Sequence, residues 1–403
     1  GPLGVELKRN VKELWWRGTV HMRDDVEGLD AAILMHPRTW EASGHVDGFT
    51  DPLVECGNCH RRFRADLPEV EGGQCPSCGT REAFGEARQF NLMFKTFMGP
   101  VEEDASVVYL RPETAQGIFV NFQNVVTTSR QRIPFGIAQI GKAFRNEITP
   151  GNFIFRTREF EQAEMQFFVE PWTDDEWFER WKADRMAFHQ GLGLDQAKLR
   201  FHAHGDDELA HYAKSAFDIE YEFPFGWKEF EGIHNRTDFD LVRHAEYSGK
   251  RMEYIEPGGG KRFTPYVVET SMGVDRTLLV VLADGYREEE VDGEERVVLG
   301  LHPRLAPIKA AVFPLVKKDG LPEIARKLAD GLRAAAIPSF YDEAGAIGRR
   351  YRRQDETGTP FCITVDGQTT EDDTVTIRER DSMEQVRVSI DQVVAWLQER
   401  LEG

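Results

Sequence analysis

The densest chemistry in the chain lies between residues 144 and 162: Phe144-Arg145-Asn146-Glu147-Ile148-Thr149-Pro150-Gly151-Asn152-Phe153-Ile154-Phe155-Arg156-Thr157-Arg158-Glu159-Phe160-Glu161-Gln162. Two strand-like runs flank a turn at Thr149-Pro150-Gly151-Asn152, which predicts a hairpin with a long loop. Both arms set arginines and carboxylates among phenylalanines. Arginine suits phosphate because its planar fork bonds two oxygens at once, and a neighbouring ring can stack on a base. The plainer reading of the alternating charge is a solvated hairpin with surface ion pairs.

A second chemical signal is the cysteine pattern. Cys56-Gly57-Asn58-Cys59 and Cys75-Pro76-Ser77-Cys78 are separated by 15 residues, within the spacing of a four-cysteine zinc site. Each short pair can wrap two thiolates around a tetrahedral ion, and four thiolates leave no open position for a substrate, so the expected zinc is structural. Disulfides are the alternative, but they suit secreted chains. Cys362, in the apolar run Phe361–Val365, reads as a buried core thiol. A third signal is Arg349-Arg350-Tyr351-Arg352-Arg353. Basic residues around an aromatic suit RNA phosphates and a stacked base; a charged helix face is the bland alternative.

The elements that must position these residues fall into two groups. Residues 5–20 and 174–190 have helical apolar spacing, 31–35 is a short strand candidate, and Val107–Val169 reads as strand-like throughout. Residues 274–285 read as a buried helix. A boundary falls near 300, in Leu301-His302-Pro303-Arg304-Leu305-Ala306-Pro307. Beyond it, strands at Ile308–Leu315, Phe361–Val365 and Thr374–Arg378 alternate with helices at Leu321–Ala336 and 391–401. That alternation suggests a small α/β module with a mostly parallel sheet. The chain has 403 residues, enough for two or three domains. Its 50 Lys and Arg against 69 Asp and Glu give a net charge of -19. This disfavours bulk DNA coating but allows a local RNA-binding patch. No apolar run approaches the ~20 residues needed to span a bilayer. Gly1-Pro2-Leu3-Gly4 has no basic-then-apolar signal, so a cytoplasmic protein without a membrane partner is expected.

Phe144-Arg145-x-Glu147, a loop, then Arg156-x-x-x-Phe160-x-x-x-Glu164 resembles motif 2 of the class II aminoacyl-tRNA synthetases. Gly273-Val274-Asp275-Arg276 before an apolar helix resembles their motif 3. Four longer strings narrow the resemblance to the dimeric glycyl-tRNA synthetases: Leu110-Arg111-Pro112-Glu113-Thr114-Ala115-Gln116-Gly117, the Phe155–Gln162 string, Asn235-Arg236-Thr237-Asp238-Phe239-Asp240-Leu241 and Ala306-Pro307-Ile308-Lys309. It runs nearly end to end. It implies an α+β catalytic domain over residues 1–300, built on an antiparallel sheet of six or more strands. That domain would carry the 56–78 zinc knuckle and a mixed segment at about 172–262. An anticodon-binding α/β domain would follow over 301–403. It also implies a homodimer whose partners are ATP, glycine and its tRNA, with Mg²⁺ accompanying ATP and no DNA bound.

The same resemblance implies residue roles. Arg145 would hold the α-phosphate and the attacking carboxylate, and Arg276 the γ-phosphate. Asn146, Phe155 and Gly273 join them around ATP. Glu147 would meet the adenine amino edge or orient the loop, Arg156 the outer phosphates or the adenine, and Phe160 would stack on the adenine. Glu229 and Phe230 belong to the same site, with Glu229 the expected Mg²⁺ contact. Glycine would lie among Glu113, Glu161, Glu269, Gln162, Ser271 and Arg64. Arg349, Arg350, Arg352 and Arg353 would meet tRNA. Plain alternatives are core packing for Phe160 and internal pairing for Glu147.

The chain departs from the family pattern before Gly1, where a few tens of residues are expected, and between Asp66 and Leu67, where an insert is usual. Thr270 and Met272 replace a Pro and a small residue, and Pro37 matches the motif 1 proline poorly. A non-catalytic nucleic-acid-binding relative is the rival reading, but it should lack Arg145 and Arg276. A sister synthetase for threonine, proline, serine or histidine is opposed by the Pro112–Gly117 string.

Overall fold

The computed structural model describes residues 1–103, 106–205, 209–210 and 212–402. They form two compact units. One gathers Trp15–Met186 and Arg200–Thr277; the other gathers Gly1–Leu14, Ala187–Leu199 and Leu278–Gly403. Three of the four breaks fall inside helices, α1 (Pro2–Trp16), α3 (Asp174–Gly191) and α5 (Val274–Gly285), and the fourth follows Leu199, the first residue of a strand. The boundary expected near residue 300 is not among these breaks.

The first unit is built on a seven-stranded sheet. Its strands are β1 (Val26–Gly28), β2 (Phe135–Phe144), β3 (Glu159–Val169), β4 (Leu199–Ala203), β5 (Ser215–Phe223), β6 (Gly226–Thr237) and β7 (Tyr266–Gly273), in the order β1-β2-β3-β7-β6-β5-β4. The β2–β3, β3–β7, β7–β6 and β6–β5 pairings are antiparallel. The edge strand β1 joins β2 in parallel. The predicted hairpin is β2–β3, with residues 145–158 as its loop.

Side chains alternate along a strand, so Gln162, Glu164, Gln166 and Phe168 share one face of β3. Phe168 packs on Phe119 and Phe122 of helix α2 (Ala115–Ser129), with ring centroids 6.5 and 4.6 Å away. Phe167, on the other face, meets Trp177 and Trp181 of α3. Helix α2 corrects the strand-like reading of 107–169. Its β-branched residues misled the local reading, yet Ala115, Ile118, Phe119, Phe122 and Val125 are buried at helical spacing. Residues 31–35 are not a strand; Leu34 makes only an isolated bridge to Leu110. Helix α4 (Phe239–Ser248) buries Leu241 in the same core as α2.

The second unit carries a five-stranded sheet of β8 (Ala310–Pro314), β9 (Ser339–Tyr341), β10 (Phe361–Val365), β11 (Thr374–Glu379) and β12 (Gln385–Ser389), ordered β9-β8-β10-β11-β12. Its helices are α6 (Leu321–Ala334), α7 (Ile347–Thr357) and α8 (Val393–Glu402). Strand β8 is parallel to β9 and β10, but β10–β11 and β11–β12 are antiparallel. The sheet is therefore mixed, not mostly parallel. Residues 366–373 are too few for a parallel crossover, which needs about a dozen. Cys362 is buried as expected.

Candidate active site

The polar half of the β3 face continues across the sheet by strand register. Gln162 lies between Gly141 and Gly273, Glu164 between Gln139 and Ser271, and Gln166 between Ile137 and Glu269. Ser271 and Glu269 in turn face Gly232 and His234 of β6. Apolar residues at the far end of this face make the core, and polar residues at the near end line a cleft. The cleft takes in about 980 Å³ of space, part of it open to solvent.

The cleft brings together Arg145, Glu147, Phe155, Arg156, Phe160, Glu161, Gln162, Glu229, Phe230, Ser271, Gly273 and Arg276. Arg145 follows directly on β2. Its Nε donates to the Pro112 carbonyl at 3.1 Å, and its guanidinium lies 5.3 Å from the ring centres of both Phe49 and Phe160. No carboxylate of the described residues forms an ion pair with it. Arg276 sits in the first turn of α5 and spans the cleft wall. It donates to the Phe155 carbonyl and to Glu229, whose Oε1 is 2.5 Å away, and covers the Phe155 ring at 4.2 Å. Arg156 donates to Glu147 at 3.2 Å.

Glu229 is about half exposed, and its neighbours set its charge. Burial pushes its carboxyl up, but the Arg276 guanidinium outweighs this and holds it down at about 2. Asp218 on the adjacent strand β5 moves the other way, to about 6, through burial and the Glu229 charge. Two hard oxygen donors thus stand side by side at the cleft, a set that suits Mg²⁺.

Behind the cleft lies a buried charge cluster. Arg236 is fully buried between Asp240, at 2.7 Å, and Glu269, at 3.1 Å. His234 Nδ1 is 2.9 Å from the same Glu269. Burial opposes the charged form of Glu269, but Arg236 and His234 hold its carboxyl low. Glu113 is likewise held low against burial, by His45 and Arg236. Glu164 differs. Its partners are all neutral: Thr114 Oγ1 at 2.5 Å, Ser271 Oγ at 2.7 Å and Gln162 Nε2 at 2.9 Å. Burial, with the Glu269 and Glu113 charges, pushes its carboxyl well above the usual carboxylate range.

Four of the residues expected at the site do not line the cleft. Asn146 uses its backbone N–H on the Leu92 carbonyl. Glu113 and Glu269 belong to the buried cluster. Arg64 is held by Asp51 at 2.8 Å and Asp66 at 2.6 Å. Among the basic run, Arg350 is buried and donates to the Pro314 and Leu315 carbonyls, so it is a packing residue of the second unit and not a surface cation. Arg353 pairs with Asp342, and Arg352 lies 3.7 Å from Asp355; Arg349 is exposed. The cleft also includes His204, Tyr212, Asp218, Glu231, Gly232, His234 and Asp275, which were not expected there. Asp275 carried a signal, being next to Arg276, and its carboxylate accepts from the Glu161 N–H at 2.8 Å. Asp218 carried none, because a register shift between Ile219 and Glu220 separates it from the alternation of Glu220 and Glu222.

The knuckle cysteines come together. Cys56, Cys59, Cys75 and Cys78 have sulfurs all within 4.8 Å of one another. That spacing and an all-thiolate donor set fit a tetrahedral metal ion.

Residues 94–284 match the model of the "tRNA synthetase class II core domain (G, H, P, S and T)", and residues 309–400 match the "Anticodon binding domain". A class II core fused to an anticodon-binding module is the class this fold and cleft define. The chain is 59% identical to the Glycine--tRNA ligase of Treponema denticola, over 96% of this chain and 87% of the relative. It is 56% identical to that of Borreliella burgdorferi, over 98% and 90% of the two chains. The ligase of Thermobifida fusca is 53% identical, over 100% of this chain and 92% of the relative. The chain belongs to the glycine–tRNA ligase family.

Proposed function

We propose that the protein activates glycine with ATP and transfers it to the 3′ end of its tRNA. The observation that carries the reading is one cleft lined by Arg145, with which no carboxylate of the described residues pairs, and by Arg276, with a face of buried carboxylates beside it. No protein nucleophile is needed. The glycine carboxylate attacks the α-phosphate in line and pyrophosphate leaves, so catalysis is positioning and charge neutralisation. Arg145 bears on the α-phosphate and the incoming carboxylate, Arg276 on the γ-phosphate, and Phe160 on the adenine. Glu229 and Asp218 are the oxygen donors for Mg²⁺, which would neutralise phosphate charge when bound. Arg276 must then give up part of its hold on Glu229.

Glycine offers its site only an ammonium and a carboxylate. Ser271 and Gln162 are the residues of this face that line the cleft, and their oxygens suit the ammonium; Glu164 lies buried behind them and accepts from both. Gln162 Oε1 and Gln166 Oε1 are buried without hydrogen-bond partners among the described residues, so acceptors are in reserve on the same face. A methyl group is worth only ~1–3 kcal/mol in a yielding pocket; here it would press on a packed sheet surface. Amino-acid-dependent ATP–pyrophosphate exchange across the twenty amino acids tests the reading. Glycine alone should support it, and exchange with another amino acid, or with none, would sink it.

The tRNA would meet the second unit, with Arg349 and Arg353 the exposed cations of its basic run. The homodimer and a cytoplasmic location follow the family resemblance. No described helix is long and apolar enough to cross a membrane. We assign zinc to the four cysteines, as a structural ion. Structural zinc supplies ~10–16 kcal/mol of folding free energy in small zinc domains. Chelation should therefore strip amide-exchange protection from residues 56–84 and leave the seven-stranded sheet protected. Native protein with no bound metal, or unchanged protection after chelation, would end that assignment.

A further inference from the structure

We infer that Arg111, seated across Gly141, is a positioning residue for amino-acid activation, one that sets both the phosphate side and the carboxylate side of the cleft. The inference rests on the activity proposed above. Arg111 precedes α2 and is 2% exposed. A charge this deeply buried normally has a counter-charge; Glu164 and Asp30 act on it through space, but no carboxylate of the described residues comes within ion-pair distance. Its Nε donates to the Lys142 carbonyl at 2.6 Å and its Nη1 to the Ala31 carbonyl at 2.9 Å. The fork lies over Gly141, where a Cβ would overlap Nη2 and stand 3.2 Å from Cζ. Gly141 is the neighbour of Gln162 in register, so the fork occupies the same sheet face as the proposed glycine contacts.

The anchor fixes the three residues that follow it. The Phe144 N–H donates to the Arg111 carbonyl at 2.9 Å, which ties this segment to the end of β2. Pro112 supplies the carbonyl that Arg145 Nε bonds. Glu113 enters the buried charge cluster, and Thr114 donates to Glu164. One guanidinium therefore holds a short segment that touches the phosphate arginine at one residue and the carboxylate face at the next two. A misplacement of about 1 Å at such a segment can cost ~10²-fold in rate.

Glycine-dependent pyrophosphate exchange, with both substrates varied, tests this. Arg111→Met should lower kcat by about tenfold or more and raise KM for ATP and for glycine together, while the unfolding midpoint moves by only a few degrees. Arg111→Lys should recover part of the loss, since an ammonium can reach one of the two carbonyls. Gly141→Ala should reproduce the Arg111→Met pattern by expelling the fork without removing the charge. The double variant should then be no worse than the poorer single one. Near-wild-type constants in Arg111→Met, losses that multiply in the double variant, or a loss explained by the unfolded fraction would overturn the inference. If Arg111→Met fails to fold, wild-type constants in both Arg111→Lys and Gly141→Ala would overturn it. A parent protein that shows no exchange with glycine refutes the functional reading itself, an outcome distinct from variants that behave like an active parent.

Discussion

Arg145→Ala should reduce glycine-dependent exchange by about 10²–10³-fold, the usual cost of removing one preorganised donor from a developing anion, and leave the fold intact. Both halves of this expectation follow from the surroundings of Arg145. Its guanidinium has one carbonyl partner and two flanking rings, with no carboxylate of the described residues paired to it. Truncation strands only the Pro112 carbonyl, so the stability loss should stay near ~1 kcal/mol. Arg145→Lys should rescue little, because an ammonium keeps the charge and loses the fork. Far-ultraviolet circular dichroism and the unfolding midpoint report the fold, and exchange kinetics the chemistry. Exchange within a few-fold of the parent would remove Arg145 from the reaction.

The largest stability effect should come from Arg236→Met. Arg236 is buried between Asp240 and Glu269, and its guanidinium covers the Tyr212 ring at 3.8 Å. Removing one member of a buried ion pair typically costs ~3–5 kcal/mol, because the remaining charge loses its partner. The pH dependence has a definite sign. In the parent, Glu269 is held low, and the stability this contributes is lost as pH falls through its folded value. Without Arg236, burial and Glu113 dominate and its folded value rises above the unfolded one. The variant's stability then falls as pH rises through that range, so its deficit should be larger at pH 8 than at pH 5. Adding Glu269→Gln and Asp240→Asn should restore much of the loss. Urea unfolding at the two pH values measures this, and a deficit below ~1 kcal/mol, or one that grows towards acid, would contradict it.

How much was legible varied with how local the cause was. The hairpin at 135–169 was readable because Thr149-Pro150-Gly151-Asn152 is turn chemistry between two apolar runs. Helix α2 was missed because its β-branched residues speak locally for strand, whereas packing against Phe135 and Phe168 rewards helical spacing. The second sheet was expected to be mostly parallel because strands and helices alternate. The lengths of its last connections, not the alternation, decide that β11 and β12 run antiparallel.

The site divides along the same line. Arg145, Phe160 and Arg276 could be named from motif strings, since each string holds the residue and the turn that presents it. Arg111, Glu164 and Asp218 could not be ranked that way. Their significance lies in what faces them: a glycine across a strand, three neutral donors, a glutamate on the adjoining strand.

The order of residues alone therefore determined the family, the core and anticodon-binding modules of its architecture, the cysteine knuckle and the motif arginines of the cleft. All of these are written in residue type and short-range spacing. Only the tertiary structure decided which carboxylates are paired with cations and which is bonded by neutral donors alone, which basic residues are surface and which are packing, and which glycine makes room for a buried guanidinium. Those properties depend on desolvation and on neighbours brought together from distant parts of the chain, and neither exists until the chain has folded.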